Sequence, residues 1–137
     1  MTGKRIVICE RRAFTFVLAG NGTQLTVLER ALDVTGAKEA TLFVAVSAVA
    51  WSTTALMRVT ATPVQLVGSE PATDFLATTG IATATLSVTG VAAGTLLPAA
   101  VPANFGSHLQ IAIFASQPST PVTLTCTITV IVVTKDQ

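Results

Sequence analysis

The sequence contains no tyrosine, one tryptophan (Trp51) and one histidine (His108). Charged residues make up only 11% of it, where an ordinary soluble domain carries about 25%. Each shortage argues against a class of function. Sugar-binding surfaces stack their ligands on exposed tryptophan and tyrosine, and here Trp51 is the sole obvious platform. A nucleic-acid partner calls for a basic patch, whereas the net charge is +1, so no nucleic-acid partner is expected. The two cysteines, Cys9 and Cys126, lie in no CxxC and beside no histidine, so no metal is expected. Two are also too few for a secreted disulfide scaffold. They read as small buried hydrophobes in a reducing cytosol. A sandwich can bring its first and last strands together, which leaves a Cys9–Cys126 bridge open.

Catalytic constellations are equally scarce. There is no GxxxxGK[ST], HExxH or GxSxG, and nothing implies a cofactor. His108 opens an apolar strand and reads as a strand-end or interface residue more readily than as a general base. Ser107 precedes it, but neighbours on a strand point to opposite faces, so the two are not expected to form a dyad. Glu70 and Asp74 share a loop and read as solvated charges. Asn21-Gly22-Thr23 fits a glycosylation acceptor but reads as a turn. No enzyme is expected.

Membrane insertion also fails on pattern. The longest uncharged candidate, "ATLFVAVSAVAWSTTALM" (40–57), holds Thr41, Ser47, Ser52, Thr53 and Thr54 and lacks flanking basic clusters. "MTGKRIVICERR" has too short an apolar run for a secretory leader.

What is present is alternation with a period of two. Strands are predicted at "KRIVICE" (4–10), "AFTFVLA" (13–19), "QLTVLE" (24–29), "ATLFVAVSAVA" (40–50), "ALMRVTAT" (55–62), "IATATLSVTG" (81–90), "HLQIAIFAS" (108–116) and the closing run from 123. A short strand at 64–68 would make nine. "GNGT" makes 13–29 look like a hairpin, and 40–50 suits a central strand packed on both faces. Pro63 is expected to end its strand or mark an edge. Residues 91–107, with two prolines and two glycines, read as a long connection. Turn signals roughly every 8–12 residues describe an all-β antiparallel sandwich. Hairpins combined with long end-crossing connections favour a jelly-roll-like single domain over 1–137.

Two of these strands carry hydroxyl ladders. Thr83, Thr85, Ser87 and Thr89 occupy alternate positions, as do Thr123, Thr125, Thr127 and Thr129. Their other faces are apolar. An alternating polar row is ordinarily a solvent face. Ice binding would need a flat array repeated over more strands. No Asp, Glu, Lys or Arg occurs from Phe75 to Thr134, however, and depletion of charge marks interface cores. The ladders are therefore the candidate interface residues. Ten of the fifteen charges lie in the first 39 residues. Lys4, Arg5, Arg11 and Arg12 within 1–12 read as an edge strand guarded against aggregation, or as an arm reaching a neighbouring subunit.

The run "LDVTGAKEATLFVAV" (32–46), the Pro-rich crossing and "FGSHLQIAIF" (105–114) with its closing apolar strand resemble small jelly-roll structural proteins of tailed bacteriophages. These include capsid decoration and cement proteins. The resemblance implies a non-enzymatic virion subunit, assembled in host cytoplasm. It would self-associate, with a homotrimer favoured, and bind a capsid shell or other virion lattice, with no nucleic acid and no membrane partner. A carbohydrate-binding or host-attachment module is the alternative.

Overall fold

A computed structural model describes residues 2–18, 22–50, 56–67, 75–77, 83–88, 91–102, 105–117 and 122–136. Among the described residues nine strands form: β1 (Thr2–Leu18), β2 (Gly22–Asp33), β3 (Glu39–Ala50), β4 (Leu56–Leu66), β5 (Phe75–Ala77), β6 (Ala84–Ser87), β7 (Thr95–Ala100), β8 (His108–Gln117) and β9 (Val122–Asp136). The first sheet has the order β1-β9-β3-β7. In the second, β2-β8-β4 is completed by β5 and β6, which both pair with β4. β6 takes Arg58–Ala61 and β5 takes Val64–Leu66, so the two short strands share one edge position. Every pairing is antiparallel. Apart from β4 to β6, each successive strand lies in the other sheet, which is a jelly roll.

Alternation explains the core. One face of each strand points into the sandwich: Phe14, Phe16 and Leu18 on β1, Leu42, Val44 and Val46 on β3, Leu124 to Val132 in steps of two on β9. Met57, Val59 and Ala61 on β4 and Leu109, Ile111, Ile113 and Ala115 on β8 meet them from the other sheet. Cys126 Sγ lies 3.6 Å from Met57 Sδ, a sulfur contact that ties the two sheets together. One end is closed by Val34, Val101 and Phe105, where Val34 N–H donates to the Ser107 carbonyl (2.8 Å) and Val101 N–H to that of Ala40 (2.9 Å).

All four sheet edges are blunted. β1 and β2 are long, but each carries two bulges at matching intervals, at Val7/Cys9/Arg12 and at Val27/Glu29/Leu32. Each bulge inserts an extra residue and sharpens the twist, which spoils the edge as a template for another strand. Glu10, Arg11 and Arg12 sit at the first pair, Glu29 and Arg30 at the second. Arg11 takes a positive φ of 47°, and its N–H donates to Thr129 Oγ1 at 2.9 Å. β7 is short and contains Pro98, and β5 and β6 are shorter still.

Several expectations need correction. Residues 13–29 are no hairpin, because β1 pairs with β9 and β2 with β8, in different sheets. A turn signature fixes a chain reversal but not which sheet receives the next strand. Residues 95–100 form β7 within the expected connection; Pro98 is tolerated because the strand is an edge. Pro63 does not end β4, which runs on to Leu66. It falls in the gap between the β6 and β5 pairings, where the ladder is already interrupted. The candidate arm is part of β1, with Thr2 opposite Asp136. β3 is fully buried on one face only; Phe43 and Ala45 on the other are half-buried and Ala48 is exposed. Asn21, Trp51, Glu70, Asp74 and Thr89 lie outside the described residues.

Candidate interface

The outward face of the first sheet can be read rung by rung. Lys135 lies between Gly3 and Glu39. The next rung is Arg5, Val133, Thr41 and Ala100. Then comes a fully apolar rung across all four strands: Val7, Ile131, Phe43 and Pro98. Thr129 follows, with Ala45 and Leu96 beside it. Beyond it the side chains shrink: Ala13, Thr127 and Ala48 make one rung, Thr15 and Thr125 the next, then Val17 and Thr123. Charge on these rungs is confined to Arg5, Lys135 and Glu39 at one end, while Glu10, Arg11 and Arg12 sit at the β1 rim.

The two ends of the face differ in relief. Val7 is 41% exposed and makes an apolar bar with Ile131, Phe43 and Pro98, while Leu96, 57% exposed, stands on the neighbouring rung beside Ala45. The small residues leave a shallow hollow of about 140 Å³ lined by Ala13, Phe14, Thr15, Ala48, Thr125, Cys126 and Thr127. Thr123 and Thr125 are exposed, Thr127 and Thr129 half-buried. The closing ladder is thus the spine of this face, flanked by alanines.

The other ladder lies elsewhere. Thr83, Thr85 and Ser87 are exposed on the outer side of the second sheet, with Thr85 opposite Thr60 and Ser87 opposite Arg58. The two ladders point away from each other and cannot pair. Their surroundings differ too. The Arg58 guanidinium stacks over the Phe114 ring at 5.0 Å, and Leu25 (60% exposed) and Val27 stand beyond it.

The remaining candidates gather at the other chemistry-bearing spots. Ser107 Oγ and His108 Nδ1 are 2.8 Å apart, contrary to the expectation from strand alternation. Ser107 is a bend residue just before β8, so the rule of opposite faces does not reach it. Asp33 lies opposite His108. The Thr35 hydroxyl and N–H hold its carboxyl below the ordinary range, with smaller help from His108 and Lys4. A neighbouring open cavity of about 410 Å³ is lined by Lys4, Asp33, Thr35, Thr134 and Asp136 among others, and not by Ser107 or His108. Cys9 and Cys126 are free thiols. They sit on adjacent strands but on different rungs, opposite Val130 and Phe14. Burial pushes Cys126 up to about 11, with Cys9 adding to the rise. Among the described residues no three His, Cys, Asp or Glu cluster as metal ligands, and no helix is long and apolar enough to cross a membrane.

Sequence reasoning found the spine of the first face but not its flanks. Phe43 was visible as the large residue out of phase with Leu42 and Val44. Leu96 and Pro98 were hidden in a segment that read as a loop.

With this architecture in place, known structures share it. The chain is similar to the structure of infectious bursal disease virus Gx strain, with TM-score 0.60 and 14% identity over 98% of this chain. It is also similar to the crystal structure of the infectious bursal disease virus VP2 subviral particle, with TM-score 0.56 and 14% identity over 96%. The likeness is one of fold. The chain spans about a third (32%) of the length of each of those chains. No family model matches the sequence, and no curated protein matches it.

Proposed function

We propose that the protein is a non-enzymatic structural subunit of a virion, a single jelly-roll domain that packs with copies of itself and with other virion proteins. The observation that carries this reading is the outer face of the first sheet. It is apolar or hydroxylic from the Ile131 rung to Thr123, and its charges are held at one end and the rim. A lone soluble domain normally wets such a surface with mixed charges. The blunted edges agree, since they deny association by strand addition and leave faces and loops to make contacts. The jelly roll shared with the infectious bursal disease virus structures supports a shell-type role, by analogy of fold.

Within that role the finer assignment is a decoration or cement subunit of a tailed-phage capsid, favoured as a homotrimer. Its contacts run through Thr123, Thr125, Thr127 and Thr129, with Thr83, Thr85, Ser87 and Thr89 as a second surface. Sedimentation velocity over a wide concentration range tests the reading. Self-association, or incorporation of the tagged protein into purified particles, is expected. A protein that stays monomeric at high concentration and is absent from particles would refute it.

A further inference from the structure

The relief of the first sheet's outer face points to its occupant. We infer that the face is an isologous two-fold interface with a second copy of this chain. The axis runs parallel to the sheet, midway between the two copies, and crosses the strands over Thr129. The inference rests on the proposed self-association and specifies its surface: a two-fold contact cannot lie within a homotrimer, so this face pairs subunits and a trimer closes through another surface.

The argument is one of self-complementarity. A two-fold contact brings residue i of one copy to residue j of the other, and j to i. Turning the sheet over about the Thr129 rung lays each strand on its own counterpart with the ends exchanged. The rung at Ile131 then stands over the rung at Thr127, and the converse holds by symmetry. Val7 meets Ala13, Ile131 meets Thr127, and Phe43 meets Ala48. The bulky apolar bar of each copy therefore enters the small-residue hollow of the other. A hollow facing a hollow, or a bar facing a bar, would leave voids and lose dispersion contacts. Only exchange of the ends fits both.

Charge and area agree. Exchange moves Arg5, Lys135 and Glu39 to opposite ends of the interface, away from their own counterparts. The β1 bulge with Glu10, Arg11 and Arg12 stays on the rim, where polar groups remain wet. β9 presents about 40 Å of outward strand at about 3.3 Å per residue. With β1, β3 and the shorter β7 spaced about 4.8 Å apart, the face measures roughly 700 Å². A standard interface needs about 800 Å² per partner, a close match. The Thr–Ala spine keeps the central face flat, so the sheets can approach to about the 10 Å of a packed sandwich.

That spacing is too long for a disulfide, so a short bis-maleimide is the appropriate probe. Thr127→Cys and Ile131→Cys are made separately in a Cys9→Ala background, which leaves Cys126 buried. Linked dimer is expected when the two variants are mixed, and much less from either alone. Ala48→Arg fills the hollow with a charged side chain and should weaken self-association about tenfold or more. Circular dichroism should stay unchanged, and Thr23→Arg, exposed on β2 of the other sheet, should have no effect. If the wild-type protein associates while Ala48→Arg does not weaken it and the mixture does not link, this face is wrong and the structural role survives. A wild-type protein that is monomeric throughout removes the two-fold face, and removes the structural role as well when it is also absent from purified particles.

Discussion

Ile128 and Ile131 offer a test of the face assignment with the same chemical change, three residues apart on β9. Ile128 is fully buried, paired with Val46 in the middle of the first sheet. Ile131 faces outward and is half-buried in the isolated chain. Ile128→Ala removes three carbons worth about 0.8 kcal/mol each. The cavity left behind brings the cost to about 2–5 kcal/mol. A domain of this length is stable by about 7–20 kcal/mol, so this one truncation removes a large share. At about 3–5 °C per kcal/mol, Tm should fall by at least about 6 °C. Ile131→Ala should cost the dilute monomer under about 1 kcal/mol. Its effect belongs to association, which should weaken by about 1–2 kcal/mol, the size of an interface anchor. Urea unfolding followed by circular dichroism, run dilute so that assembly adds nothing to stability, measures the first quantity. Sedimentation equilibrium measures the second. Equal destabilisation by the two substitutions in the dilute state would mean that β9 does not present the faces described.

Two further outcomes follow from local geometry and titration. Gly106 has a φ of +80°, and a Cβ there would meet the Gln65 side-chain amide. Gly106→Ala should therefore destabilise by about 1–2 kcal/mol in the same urea assay, where Gly36→Ala, in open space, pays for the backbone alone. Because the Cys126 thiol is raised from 9.0 to about 11, the folded state holds its proton longer than the unfolded chain does. Its contribution is complete below pH 9 and is lost as pH rises towards 11. Stability measured across that window should decline, and Cys126→Ala should flatten the decline.

The strands were legible where alternation is local. The inward rows of β8 and β9 follow from the sequence alone, because Leu109, Ile111 and Ile113 or Leu124, Cys126 and Ile128 recur at every second place. The jelly roll could be inferred from strand number and spacing. Pairing could not. The two threonine ladders look equivalent in sequence, yet one is the spine of the first sheet and the other lies near an edge of the second. Which strand lies beside which depends on contacts between segments far apart in the chain, Thr2 with Asp136 and Gly22 with Gln117, and no local pattern encodes them. β7 was missed for a different reason: Pro98 argues against a strand unless its edge position is already known.

The placement of β9 between β1 and β3 has a consequence for how the chain reaches its fold. The first strand has no partner until the last one exists. At roughly 5–20 residues per second, synthesis leaves β1 waiting about 6–24 s with Phe14, Phe16 and Leu18 unsheltered. Long-range pairing of this kind is slow even once the chain is complete. Five of the fifteen charges of the sequence lie within β1. In the finished sandwich they guard an edge. During the wait the same charges oppose the pairing of β1 with other unfinished chains.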